Sequence, residues 1–195
     1  MAAAYAKSGV AFPCVAASGA WNEFDLDLIY RELAPQLCAE DPQFRTQLEA
    51  MREQVRASRG AHDAEIHRRW TPCDVAMIAA WIRGTYDYTG ESWGAFRQRV
   101  AAANTGPTQP SSNGSAGVAP GAAEHANVVV FTSATPTAVW AGRALDIHDE
   151  RIMQLAGVLH NASYSIVRRR SNEQLQLFMF NAVPHLAAPE LRTHR

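Results

Sequence analysis

Thr132-Ser133-Ala134-Thr135 places three hydroxyls within four residues, directly after the apolar run Val128-Val129-Val130-Phe131 and just before Pro136. A short continuous apolar run reads as a strand buried on both faces, and open α/β sheets gather ligands beyond the carboxyl ends of such strands. With a helix opening at Pro136, the hydroxyls of Thr132, Ser133 and Thr135 and the first backbone N–H groups of that helix are suited to an anion. The same residues fit a strand-to-helix turn with ordinary capping. A strand-serine-helix turn is also the setting of a nucleophile elbow. Phe131-Thr132-Ser133-Ala134-Thr135, however, lacks both glycines of G-x-S-x-G, and no His or Asp follows at a diagnostic spacing.

Metal and redox chemistry find little footing. His62 and His67 lie five apart, off the i, i+4 spacing that sets two ligands on one helix face. Cys14, Cys38 and Cys73 are widely spaced and form no C-x-x-C pair, so they read as free thiols in a reducing cytoplasm. No Gly-rich nucleotide loop is present, and no metal or cofactor is expected. Arg168-Arg169-Arg170 reads as a solvated hairpin tip that an acidic partner could touch.

The 195 residues, 47% hydrophobic and 19% charged, suffice for a sizeable core and exclude disorder of the whole chain. Eighteen Lys and Arg against nineteen Asp and Glu leave a net charge of −1, which argues against nucleic acid as a partner. No apolar run reaches the ~18–20 residues of a membrane span, so no membrane partner is expected. Lys7 precedes an apolar stretch from Val10 to Ala17, but Pro13 interrupts it, and the expected location is cytoplasmic.

Four helical patterns lead the chain. Leu26, Ile29, Tyr30 and Leu33 share a face after the cap Asp25, with Pro35 expected to end or kink the helix. Asp41-Pro42 opens a second helix, with Phe44, Leu48, Met51 and Val55 as its stripe and Gly60 as its stop. Thr71-Pro72-Cys73-Asp74 opens a third, with Val75, Ile78 and Ile82 inward and Gly84 closing it. Gly90-Glu91-Ser92 opens a fourth, with Trp93, Phe96 and Val100 on one face. Residues 104–127 then contain ten Gly, Pro or Ser and one large aliphatic, Val118, and read as a flexible loop inside a single domain spanning 1–195.

Beyond the loop the pattern predicts the strand at Val128–Phe131 and a helix from Pro136 to about Leu145. A further helix is capped by Asp149, with Ile152, Leu155, Val158 and Leu159 inward. An antiparallel hairpin follows, from Ser163 to Arg169 and from Gln174 to Phe180, turning at Arg170-Ser171-Asn172.

The order of these features resembles the C-terminal half of the histidine phosphatase superfamily, the phosphoglycerate-mutase-like proteins. The residues that carry the resemblance are the apolar strand with its Thr-Ser turn, Asn161-Ala162-Ser163-Tyr164-Ser165-Ile166, Asn181-Ala182-Val183-Pro184-His185-Leu186, Gly90-Glu91-Ser92 with Phe96 and Arg99-Val100, and Trp21-Asn22-Glu23-Phe24-Asp25. The resemblance implies an α/β fold. It would be a three-layer sandwich with a mixed, largely parallel sheet, helices on both faces and a C-terminal β-hairpin, incomplete at its N-terminal strand. It also implies that Glu23 stands at the family's proton-donor position, where Trp21 and Phe24 would desolvate the carboxyl. Ser133 stands at the place of the family's second histidine, in a degenerate phosphate-pocket turn with Thr132 and Thr135. His185 has a counterpart that reads as a structural histidine at the base of the sheet.

The family's nucleophile is a histidine in an Arg-His-Gly motif, and none of the seven histidines here is preceded by Arg or followed by Gly. The chain therefore resembles a member truncated at its N-terminus, with a weakly held phosphorylated small molecule as its ligand. Phosphatase activity is not expected of it, because phosphoryl transfer needs the nucleophile and several preorganised cations. Two alternatives stand beside this reading. One is a serine hydrolase acting through Ser133. The other is a non-catalytic interaction module that self-associates through the uncovered sheet edge.

Overall fold

The computed structural model describes residues 6–9, 15–57, 71–103, 108–109, 117–118 and 127–194. The chain divides into two compact units, residues 1–20 with 103–131 and residues 21–102 with 132–195. In the smaller unit, β1 (Thr108–Gln109) pairs antiparallel with β2 (Gly117–Val118). Apart from Asn127, the remainder of the expected 104–127 loop lies outside the described residues.

The larger unit begins its helices at α1 (Leu26–Glu40), where Asp25 Oδ1 accepts the Leu28 N–H at 2.9 Å. Pro35 does not end this helix. A proline inside a helix forfeits one backbone hydrogen bond, but the continuation brings Leu37 and Cys38 against the core, and that burial offsets the loss. In α2 (Pro42–Ala57), Asp41 Oδ1 accepts the N–H groups of Gln43 at 2.8 Å and Phe44 at 3.0 Å. Gly60, the expected stop, lies outside the described residues.

Thr71 and Asp74 close a reciprocal capping box at the start of α3 (Pro72–Arg83), and Gly84 ends it in the left-handed region at φ 62°. The buried face differs from the expected one. Val75 is 58% exposed, while Cys73, Met77, Ile78 and Trp81 are buried. Trp81 decides the rotation, because its large apolar surface turns inward only if Nε1 finds an acceptor. The Glu91 carbonyl supplies that acceptor at 2.9 Å. In α4 (Trp93–Ala102), Trp93, Phe96 and Val100 are all buried, as their spacing predicts.

α5 (Ala134–Leu145) and α6 (Asp149–Gly157) complete the helical cluster. His148, not Asp149, occupies the cap of α6. Asp149 instead turns its carboxylate to Trp93 Nε1 at 2.7 Å and to Arg97. Val158, expected inside, lies past the helix end and is 52% exposed. The hairpin is present. β3 (Tyr164–Arg169) pairs antiparallel with β4 (Leu175–Ala182), with Val167 opposite Leu177 and Arg168 opposite Gln176. Its Val167 and Leu175 pack against the helical core.

The core is aromatic at its centre. Phe24 lies 4.8 Å from Trp81 and meets Phe96 edge-on at 5.9 Å, and Trp81 meets Trp93 edge-on at 5.3 Å. Such offset and edge contacts each add roughly 0.5–1.5 kcal/mol beyond area burial.

This architecture corrects the three-layer α/β expectation. Among the described residues the only strands form two antiparallel pairs, so there is no mixed or parallel sheet with helices on both faces. Val128–Phe131 is not a strand. Val128, Val129 and Phe131 are 42%, 75% and 72% exposed. A strand buried on both faces needs ladder partners on either side, and no described segment pairs with this run. The helix stripes meanwhile bury against one another without a sheet between them.

Candidate functional site

The turn that leads into α5 gathers the residues singled out by the sequence. Thr132 Oγ1 donates to the Trp21 carbonyl at 2.6 Å. Trp21 in turn stacks on Trp140 of α5 with ring centroids 5.8 Å apart. Ser133 is the cap residue of α5, with extended backbone, yet its hydroxyl caps nothing; Oγ is buried without a hydrogen-bond partner. Its carbonyl accepts the Thr137 hydroxyl at 2.9 Å. Thr135 is 3% exposed, and its backbone N–H donates to Glu23 Oε2 at 3.3 Å.

Glu23 is thus brought to the hydroxyl turn. Its carboxylate fills the role that the Ser133 side chain leaves open, satisfying an orphan donor in the first turn of α5 and adding negative charge at the positive end of the helix dipole. Glu23 Oε1 also accepts the Phe24 N–H at 3.3 Å. An external anion at this helix end would have to displace Glu23.

Arg99 stands next to this group. It forks onto Glu91 with two 2.7 Å bonds and donates Nη1 to the Asn22 carbonyl at 3.2 Å. The Glu91 hydrogen bond, more than the charges of Glu91 and Glu23, outweighs burial and raises its pKa above the usual arginine value. The guanidinium is therefore committed to Glu91. His148, His160, His185 and His194, the described histidines, make no hydrogen bond to Glu23, Thr132, Ser133 or Thr135. Among the described residues, the cluster offers a carboxylate and hydroxyls, and no histidine hydrogen-bonds to it.

The other candidates lie elsewhere. His185 sits in an exposed turn after β4 and not at the base of a sheet, since no sheet extends beneath it. His62, His67 and Cys14 lie outside the described residues. No group of three or more His, Cys, Asp or Glu suited to a metal occurs among the described residues. The arginines of the hairpin are more engaged than a solvated turn implies. The Arg168 guanidinium lies 3.5 Å from the centroid of the Phe178 ring, Arg169 is 3.5 Å from Glu173, and Arg170 Nη2 donates to Gln176 at 2.8 Å.

Sequence reasoning missed three groupings. Tyr30 donates to Asp74 across 44 positions, Asp149 joins Trp93 and Arg97, and His160 stacks on His194 with centroids 4.0 Å apart. No local motif signals them. Only the Thr71–Asp74 cap was visible as a pattern.

No protein-family model, no curated protein and no solved structure matches the chain. Among the described residues, no helix is long and apolar enough to cross a membrane.

Proposed function

We propose that this chain is a histidine-phosphatase-like protein that does not carry out phosphoryl transfer as written. The observation that supports this reading is the meeting of Glu23 with the Ser133–Thr135 turn over 112 positions of sequence. The resemblance assigns these two segments to a shared pocket, as proton donor and second-histidine turn. The reading rests on that meeting and on the sequence motifs, and not on the sheet.

The same geometry accounts for silence. The carboxylate that would protonate a leaving group is spent on the Thr135 N–H, the nearby Arg99 is forked onto Glu91, and serine replaces the second histidine. Loss of one preorganised stabilising group typically costs ~10²–10³ in rate, and several are lost together. Purified protein should not hydrolyse p-nitrophenyl phosphate above background. It should likewise trap no acid-labile phosphohistidine. Turnover that disappears in Glu23→Gln would overturn the proposal.

A non-catalytic interaction role is favoured by one further observation. The β3–β4 hairpin has no third strand among the described residues, and Tyr164 and Phe178 on it are 42% and 49% exposed. An open strand edge presents unpaired N–H and C=O groups with which another chain can pair. Light scattering of the isolated protein tests this; a dimer supports self-association, and a clean monomer rejects it.

A further inference from the structure

A second cluster lies at the C-terminal end of α5, where Arg97, Gly142, Arg143, Asp146, Ile147 and Ile152 line a cavity of about 250 Å³. Two guanidiniums from two elements line it, Arg97 from α4 and Arg143 from α5. Burial first, and then the positive charges of Arg169 on β3 and of Arg97, hold the Arg143 pKa below the usual arginine value. Arg97 and Arg169 each have a carboxylate, Asp149 and Glu173 respectively. Arg143 has none within ion-pair distance among the described residues.

Arg143 is nevertheless held in place. It lies 4.8 Å over the Trp140 ring, and Nη1 donates to the Ala101 carbonyl at 2.8 Å. Among the described residues, no other hydrogen bond engages the donors of its planar fork. A guanidinium held in place with no carboxylate of its own is a receptor for an oxyanion, which arginine binds through paired N–H donors.

Asp146 on the same lining narrows the ligand further. A carboxylate repels a fully deprotonated anion but accepts a hydrogen bond from one that still carries a proton. Phosphate at neutral pH retains such a proton, and sulfate does not. We propose that this cavity is a binding site for hydrogen phosphate or a phosphoryl group bearing a proton, with Arg143 as the principal donor, Arg97 and Arg169 supplying field, and Asp146 selecting against sulfate. The site shares no residue with the Glu23–Ser133 cluster, so it stands or falls independently of the function proposed above.

Calorimetric titration of the full chain with inorganic phosphate at neutral pH and low ionic strength should show saturable, one-to-one binding. Sulfate should bind at least about tenfold more weakly. Arg143→Gln should weaken phosphate by about tenfold or more, and Asp146→Asn should bring sulfate up to phosphate. Arg169→Gln, on the hairpin surface, supplies a second weakening variant should Arg143→Gln fail to fold. No saturable heat with phosphate, or equal binding of sulfate and phosphate by the unsubstituted chain, overturns the proposal. So does phosphate binding undiminished by both arginine substitutions.

Discussion

Glu23 Oε2 accepts the backbone N–H of Thr135 at 3.3 Å, and so caps a helix that begins 111 positions later in the chain at Ala134. Because Ser133 contributes no side-chain cap, the first turn of α5 depends on this distant carboxylate. Glu23→Ala should lower stability by about 1 kcal/mol, the usual worth of a helix N-cap. Glu23→Gln, which keeps an acceptor oxygen but loses the charge, should lose only part of that. Urea denaturation of the two variants checks the order, and equal stability of all three proteins would show that Glu23 is not the cap.

Tyr30 and Asp74 tie α1 to α3. The phenol donates to Asp74 Oδ1 at 2.6 Å, while Oδ2 accepts from the Thr71 hydroxyl and backbone N–H, each at 2.7 Å. Burial, then the hydrogen bond to Asp74 and its charge, raise the tyrosine pKa far above its usual value. Tyr30→Phe should cost about 1.5–3 kcal/mol, the range for a hydrogen bond to a charged group. The sign with pH follows from linkage. A folded-state pKa above the unfolded one gives stability that is complete below the unfolded value of about 10 and is lost as pH rises beyond it. The difference between the natural protein and Tyr30→Phe should therefore narrow above about pH 10, as thermal denaturation across alkaline pH would show.

Asp149 acts in the opposite direction. Burial pulls its pKa up, but hydrogen bonds from Arg97 and Trp93, with the charges of Arg97 and His148, together outweigh it and hold the carboxyl below its usual value. A depressed folded-state pKa gives stability present above the unfolded value of about 3.9 and lost as pH falls through the folded one. Asp149→Asn should consequently destabilise the protein at neutral pH and converge with the unsubstituted chain in acid. Denaturation midpoints at pH 7 and near pH 2.5 test this, and a constant difference at both would remove the linkage.

Local chemistry was legible in the sequence where one segment decides the outcome. Asp25, Asp41 and the Thr71–Asp74 box cap the helices their spacing predicts, and the hairpin turns between the two alternating segments. Legibility ended where distant partners decide. The run Val128–Phe131 has strand composition, but composition cannot supply a neighbouring strand, and the resemblance supplied a sheet that the described residues do not contain. The face of α3 turned on Trp81, whose inward position needed the Glu91 carbonyl ten residues away. At the candidate site, Glu23 and the Ser133–Thr135 turn meet over 112 positions, beyond the reach of any local pattern. That Glu23 would cap α5, leaving the Ser133 hydroxyl without a partner, depends on three-dimensional packing that no spacing encodes.

Gly142 tests how tightly α5 and α6 pack. It lies inside α5, where replacing glycine by alanine in an exposed helix would gain about 1 kcal/mol of propensity. Here a Cβ would fall 2.7 Å from Ile152 Cγ1 and 3.1 Å from its Cδ1. Ile152 is 1% exposed, and Cγ1 is near the branch point of the side chain, not at a flexible end, so it cannot swing clear without disturbing the core. Overpacking of this kind costs typically about 1–3 kcal/mol, which exceeds the propensity gain. Gly142→Ala should therefore be destabilising on balance. Ile152→Ala alone should cost about 2–5 kcal/mol through the cavity it leaves. In the double variant the new methyl enters that cavity, so the combined loss should be smaller than the sum of the two. A double-mutant cycle measured by denaturation reads this coupling directly. Strict additivity, or a stabilising Gly142→Ala, would mean that the two helices are not in the close contact that Gly142 permits.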